Sequence, residues 1–195
     1  MDLNPIRTER LLLRPVVAAD EACIAALRSS EEVTRYLSHG PLDHDSVRER
    51  LARVIESARA STVTVFQHSW VIERRDGGEM IGEGNVWTSR NPPEPGRLEP
   101  GQAMLGYVLS PAHHRKGYGR EAARALVSWL FTERDIQTVF AAVFAPNLAS
   151  QALLAGLGFA PDLHFTAEQD QSGKGLASIR FRLDRANADW WPSTI

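Results

Sequence analysis

The stretch Ala103-Met104-Leu105-Gly106-Tyr107-Val108-Leu109-Ser110-Pro111, continued by His113-His114-Arg115-Lys116-Gly117-Tyr118-Gly119-Arg120, decides how this chain folds. Ala103 to Leu109 reads as a strand, and a helix follows from about Glu121 to Thr132, with Ala122, Leu126, Trp129 and Leu130 on an apolar face that Ala123 and Val127 broaden. Between the two, Gly117 and Gly119 permit tight backbone turns and expose successive N–H groups at the positive end of the helix. Such a terminus holds phosphate oxygens without a metal. Arg115, Lys116 and Arg120 add charge, but the peptide donors set the geometry. The plainer reading, two glycines that only end a loop, stays open from this motif alone.

Known phosphate motifs compete for the same residues. The segment lacks the Gly-x-x-x-x-Gly-Lys-Ser/Thr of a P-loop, whereas Gly117-x-Gly119-x-x-Ala122 matches a relaxed dinucleotide fingerprint. A dinucleotide fold, however, sets its first glycine almost directly after a strand and a carboxylate on the second strand. Here Ser110 to Lys116 intervene, and Glu133 and Asp135 precede the next apolar run instead of ending it. A nicotinamide or flavin enzyme is disfavoured.

Working outward, Ile136 to Phe144 reads as a strand parallel to the first through the crossover helix. Asn147 to Leu157 is expected as a short helix ended by Gly158, with Phe159 and Ser178 to Leu183 supplying closing strands. Upstream, Arg10 to Arg14 reads as a strand, and a short helix surrounds Ile24 and Leu27. A second helix spans Ser46 to Ala58, where Val47, Leu51, Val54, Ile55 and Ala58 share a face and Ser46 and Glu49 have capping-box spacing. Thr62 to Phe66 is a strand candidate; Trp70 to Glu73 and Met80 to Trp87 form an antiparallel pair joined through Asp76-Gly77-Gly78. The proline-rich Asn91 to Gly96 reads as a loop. The sum is an α/β (α+β) fold, a mixed sheet with helices on its faces, in a single domain over 1–195 whose residues 184–195 form a docked tail.

Composition excludes several function classes. With 43% hydrophobic and 24% charged residues the chain is globular, and a formal charge of -2 gives no polyelectrolyte surface, so neither nucleic acid nor a membrane is an expected partner. Met1-Asp2-Leu3-Asn4-Pro5 lacks a basic and apolar leader, and no apolar run approaches the roughly 20 residues of a membrane span, so a cytoplasmic protein is expected. The lone Cys23, in an apolar helical stretch, reads as a packed thiol and not a nucleophile. His113 and His114 lack the companions of a zinc site, so no metal is expected, and they read as loop or anion-contact residues before catalytic bases.

The ordered features resemble the Gcn5-related N-acetyltransferases (GNAT), especially the Rim-type branch of ribosomal-protein N-terminal acetyltransferases. Arg115 to Arg120 fits the superfamily's Arg/Gln-x-x-Gly-x-Gly/Ala acyl-CoA loop. Thr8 to Arg14 looks like the branch's opening strand, Met80-Ile81-Gly82-Glu83-Gly84 its central hairpin strand, and Gly106-Tyr107-Val108-Leu109 the strand leading to the donor site. Asn147-Leu148-Ala149-Ser150, Gly156-Leu157-Gly158-Phe159 and the closing Phe181-Arg182-Leu183 extend the likeness over nearly the whole chain. The resemblance implies an acyl-CoA N-acyltransferase fold with a centrally splayed sheet whose gap admits pantetheine. It further implies backbone hydrogen bonds from Val108 and Leu109, pyrophosphate contacts from Arg115, Lys116, Gly117, Tyr118, Gly119 and Arg120, and Asn147 and Ser150 near pantetheine or sulfur.

The implied chemistry is attack of a neutral amine on a thioester, in which a base takes one proton and the departing thiolate receives one. No Ser/His/Asp constellation is evident, so direct transfer is expected over an acyl-enzyme. Ser150 is the leading thiol-end contact and proton donor, with helix capping as its other role, and Asn147 either caps or fixes the donor's amide. Glu83 is the base candidate, against the plainer reading of a solvent-face carboxylate. Tyr107 reads as channel lining or core, and Trp190-Trp191 as a docking tail with a homodimer interface as the alternative. Asp162, Glu168, Asp170 and Asp184 either attract a cationic substrate or face solvent. The expected function is transfer of acetyl from acetyl-CoA to a primary amine, the α-amine of a peptide or protein. The alternatives are a small-molecule (antibiotic or polyamine) acetyltransferase, a non-catalytic CoA-responsive module, and transfer of another acyl group.

Overall fold

The computed structural model describes residues 3–88, 98–170 and 172–191, so the expected loop at Asn91 to Gly96 lies outside the described residues. Strands β1 (Ile6–Arg7), β2 (Leu11–Pro15), β3 (Gln67–Arg74), β4 (Met80–Trp87) and β5 (Gln102–Leu109) pair antiparallel in chain order. Helix α4 (Tyr118–Glu133) then carries the chain to β6 (Thr138–Phe144), which runs parallel to β5. Strand β8 (Ser178–Asp184) inserts between β6 and β7 (Ala160–Phe165), completing one eight-stranded mixed sheet.

The helices divide over the two faces of that sheet because neighbouring strand residues point to opposite sides. Gly84 of β4 faces α4, where an added Cβ would come within 2.5 Å of Leu126 Cδ1. The preceding residue, Glu83, meets Arg28 at the end of α1 (Glu21–Arg28) on the other face. Helices α2 (Glu31–Thr34) and α3 (His44–Arg59) complete that side, with Ile24, Ala25, Val47 and Leu51 packed as one cluster and Leu27, Val33 and Val108 as another. The main core, including Leu11, Leu13, Trp70, Ile72, Leu126 and Leu130, lies beneath α4.

Four expectations from sequence are corrected. Thr62 to Phe66 is not a strand: Thr62 exchanges backbone and hydroxyl bonds with Val65, closing a local turn that competes with pairing and leaves Val63 and Val65 exposed. Helix α3 starts two residues before Ser46, and its cap is Asp43, whose carboxylate accepts from the Ser46 N–H at 2.8 Å. Helix α4 begins at Tyr118 and not Glu121, which turns Tyr118 to Arg120 into its first turn. Cys23 is exposed on α1, because Ile24, Ala25, Leu27 and Arg28 take the buried face.

At the far end of α4, Phe66, His68, Trp70 and Trp129 form an aromatic cluster, with Trp70 and Trp129 edge to face at 5.1 Å. The Arg134 guanidinium caps it, 4.6 Å from the Trp129 ring. Burial, reinforced by that cation, pushes the His68 imidazole down to about 4. An unfolded chain binds this proton near pH 6.5 while the folded chain refuses it, so stability falls as pH drops from about 6.5 to about 4. The loss attributable to His68 is at most about 3 kcal/mol. Urea unfolding across this window is expected to show a steeper pH dependence for the native chain than for His68→Phe.

Candidate active site

The turn into α4 is built from unusual backbone. Arg115 and Gly117 both adopt left-handed conformations, at φ 59° and 82°. A short turn at Pro111 to His113 precedes them, in which His113 N–H donates to Ser110 O and His114 N–H to Pro111 O. The first helical bond is Glu121 N–H to Gly117 O, at 3.1 Å. Among the described residues, the N–H groups from Arg115 to Arg120 therefore have no intramolecular acceptor, and alternation of left- and right-handed residues turns such groups into an anion-binding concavity. Gly117 suits the left-handed position because it carries no Cβ. Gly119 answers a different demand: a Cβ there would lie 2.9 Å from Leu153 Cδ1 and 3.3 Å from Leu109 Cδ1.

The basic side chains around the turn are mostly engaged elsewhere. Lys116 Nζ donates to Ala112 O at 2.9 Å, Arg120 reaches Gly156 O, and Arg10 donates to Lys116 O at 3.0 Å from its position over the Tyr118 ring. Arg115 is exposed with no partner among the described residues. Glu121 places a carboxylate in the same helical turn, but it is bound by Thr8 and by the backbone and guanidinium of Arg10. Burial would raise its pKa, and these hydrogen bonds override that and hold it below the ordinary range. The turn thus keeps its net positive character from peptide groups and the helix terminus.

The strand leading into this turn separates from its parallel neighbour. Strands β5 and β6 pair only from Gln102–Thr138 to Met104–Phe140. Past that point β5 continues bonded to β4, and β6 to β8, with the two strands apart. The Ser110 N–H donates to Ile81 O, so antiparallel alternation directs the peptide groups of Val108 to Glu83 and turns those of Tyr107 and Leu109 into the gap. The expected backbone contact at Val108 is therefore corrected: its peptide is spent within the sheet, and its side chain packs against Leu27 and Val33. The Leu109 carbonyl accepts from His114 Nε2 at 3.0 Å, which leaves the Leu109 N–H facing the gap. By the same alternation Ala142 and Phe144 present their peptides from β6, since Ala145 N–H donates to Ala177 O.

Beside the gap, Asn147 caps α5 (Leu148–Ala155) by accepting from the Ser150 N–H at 3.2 Å. The Ser150 hydroxyl meets Tyr107 Oη at 2.7 Å. Burial pushes the Tyr107 phenol up to about 12, against the opposing effect of that bond, so it stays protonated. Sequence reading found Ser150 and Asn147 but not the tie of Ser150 to Tyr107, which depends on how α5 sits over the gap.

A continuous cleft of about 2250 Å³ joins these parts, lined by Tyr107, Leu109, Arg115, Gly119, Asn147 and Ser150 at one end and by Arg28, Glu32, His39, Glu168 and Arg180 at the other. Glu83 is not among its lining residues. That carboxylate is buried, with Oε2 held by Arg28 Nε at 2.6 Å and Oε1 without a hydrogen-bond partner among the described residues. Arg28 also donates from Nη1 to His39 Nε2 at 2.8 Å, while His39 Nδ1–H donates to Gly40 O at 2.7 Å. Burial, with Arg28 adding to it, lowers the His39 pKa and keeps the ring neutral. Neither Arg28 nor His39 was singled out from sequence, because nothing in their spacing anticipates Glu83. Of the acidic residues offered for a cationic substrate, Asp162 is paired with Arg180, Asp184 with Arg182 and Thr138, and Asp170 with Ser172.

Comparison with known proteins assigns a family to a chain that combines this strand opening with this helix terminus. The family described as Acetyltransferase (GNAT) domain matches residues 10–160. This chain belongs to the GNAT acetyltransferases. The N-acetyltransferase YoaA of Bacillus subtilis (strain 168), itself uncharacterized, is 31% identical over 154 residues, covering 79% of this chain and 81% of that protein. Two solved structures share the fold at lower identity. Mycobacterium smegmatis RimJ in complex with CoA-disulfide superposes with a TM-score of 0.76 at 19% identity, covering 95% of this chain and 88% of that one. Spermidine N-acetyltransferase from Vibrio cholerae, in complex with CoA and spermine, gives 0.74 at 18%, covering 93% and 99%.

If peptide donors at the α4 terminus hold the diphosphate, Gly117→Val, which forces a β-branched residue to φ 82°, lowers CoA affinity at least ~10-fold. Removing the exposed Arg115 side chain costs less than ~3-fold at moderate salt. Titration calorimetry with CoA distinguishes these outcomes, and equal losses would transfer the role to the side chain.

Proposed function

We propose that this GNAT protein transfers acetyl from acetyl-CoA directly to the α-amine of a peptide or protein, in the manner of the Rim-type branch. The observation that carries the reading is the meeting, in one cleft, of the free peptide donors at Arg115 to Arg120, the β5–β6 gap and the Ser150 hydroxyl. The pyrophosphate would lie on the N–H groups of Arg115, Lys116, Gly117, Tyr118, Gly119 and Arg120, with pantetheine in the gap against the peptides of Tyr107 and Leu109. Asn147 and Ser150 would stand at the sulfur end.

Attack of the neutral amine on the thioester carbonyl forms the C–N bond, and collapse of the adduct breaks C–S with the electron pair leaving on sulfur. Ser150 donates a hydrogen bond to that thiolate, which takes its proton from water; the amine proton is lost to Glu83 Oε1 through water, since Glu83 stands outside the cleft lining. No metal is required for these steps.

The choice of a peptide amine rests on the acceptor end. Arg28, Arg35, Arg50 and Arg180 line it together with Glu32, Glu168 and Asp170. A polyamine carries several cations and little else, and is matched best by a predominantly acidic wall, whereas a peptide terminus brings one amine among carbonyl acceptors. A small-amine substrate is the second reading, favoured by the spermine-bound structural neighbour.

An acetyl-CoA turnover screen with matched peptide α-amines, lysine side chains and small amines, scored by acceptor-dependent CoA release, is expected to favour the α-amines. Fast reaction of a polyamine or an antibiotic amine with inert peptides reverses the assignment, and CoA binding without release over the whole panel favours a binding module. Glu83→Gln is expected to lower kcat by about 10²-fold with little change in acetyl-CoA affinity. Because the change also weakens a buried ion pair, its kcat is read at temperatures where circular dichroism reports a folded chain.

A further inference from the structure

We propose that Tyr107 is a positioning residue that fixes the direction of the Ser150 hydroxyl proton. The two oxygens lie 2.7 Å apart, and either hydroxyl can in principle donate. Three observations choose between them. Tyr107 has no other hydrogen-bond partner among the described residues, so if Ser150 donated, the phenol proton of this half-buried side chain would be left without a protein acceptor. The phenol is the more acidic hydroxyl and hence the better donor, yet burial keeps it protonated up to about pH 12. Ser150 Oγ, in turn, makes no bond back to its own helix; Tyr107 is its single partner among the described residues.

With Tyr107 donating, the Ser150 proton cannot point at Tyr107. It is directed into the cleft that both residues line. Serine hydroxyls on helices ordinarily rotate between a backbone carbonyl and solvent. Here one lone pair of the oxygen is fixed by a strand residue, and the strand is itself held by β4, so the hydroxyl is aimed before substrate arrives. Tyr107 never contacts the reacting atoms in this arrangement. It acts through Ser150, and its peptide independently faces the gap. No bond forms or breaks at Tyr107; Ser150 offers its O–H to sulfur as the C–S electron pair moves there.

This inference rests on Ser150 standing at the sulfur, and the test separates the two ideas. The probes are Tyr107→Phe, Ser150→Ala and the double variant, each folded by circular dichroism. The first measurement needs no acceptor: the ionisation of the CoA thiol in its binary complex, followed by thiolate ultraviolet absorbance. A hydrogen bond from Ser150 stabilises the thiolate, so Ser150→Ala lowers the bound thiolate-to-thiol ratio about 10-fold. Tyr107→Phe is expected to give a substantial part of that loss, with no further loss in the double variant and CoA affinity within about twofold of native.

The second measurement is kcat and KM for acetyl-CoA with the fastest amine of the screen. Tyr107→Phe lowers kcat about 10-fold at unchanged KM in the native background and has no effect in the Ser150→Ala background. If Ser150→Ala leaves the thiol ionisation and kcat unchanged, Ser150 is not at the sulfur and both ideas fall. If Ser150→Ala acts but Tyr107→Phe does nothing, or costs the same in both backgrounds, the Ser150 reading stands and the positioning role of Tyr107 is overturned.

Discussion

The parallel contact between β5 and β6 governs this molecule because it is so short. Three residue pairs hold the strands together, from Gln102–Thr138 to Met104–Phe140, and the rest of each strand is secured only on its outer side, by β4 and by β8. Buried peptide groups without partners are costly, so a sheet that opens in its middle must offer those groups to something else. The solution here is a narrow polar slot between two otherwise complete half-sheets. Its peptides come from Tyr107 and Leu109 on one side and from Ala142 and Phe144 on the other. Each wall is held by its own strand pairing, β5 by β4 and β6 by β8, so the slot does not depend on a ligand for its form.

The divergence also explains the turn that follows. Strand β5 ends at Leu109, and the chain passes through Ser110 to Gly117 into α4, where the side chains of Leu109 and Leu153 crowd Gly119. Left-handed residues at Arg115 and Gly117 make the reversal and, in doing so, leave consecutive N–H groups facing outward at the helix terminus. The N-terminal segment braces this arrangement from behind. Thr8 and Arg10 grip Glu121, and Arg10 covers the Tyr118 ring, so β1 and β2 are tied to the turn and not merely to the sheet. Positive potential at the site comes chiefly from fixed dipoles, which need no reorganisation when an anion binds.

Across the sheet, Arg28, held by the buried Glu83, lines the other wall. A charge pair this dry contributes little net stability against an apolar replacement, yet removing one member leaves the other stranded. Its geometric effect is specific: Arg28 is clamped by Glu83 and by a neutral His39, so a guanidinium that lines the cleft is held in one orientation. The two ends of the cleft thus rest on opposite faces of the same strands, with α1 and α2 on one side and α4 on the other.

The sequence by itself determined what depends on neighbours along the chain. The strand at Ala103 to Leu109, the glycines at 117 and 119, the apolar face of α4 and the parallel return at Ile136 to Phe144 are local patterns, and with them came the mixed sheet and the glycine turn that opens α4. Local competition also misled: the Thr62–Val65 turn and the Asp43 cap outbid equally good patterns a few residues away. Only the tertiary structure decided what depends on residues far apart. Whether Val108 or Leu109 turns its peptide to the gap follows from register against β4, a one-residue matter that no propensity encodes. The pairings of Glu83 with Arg28 and of Ser150 with Tyr107 span 55 and 43 positions, and each depends on the packing of apolar faces that sets two distant elements side by side.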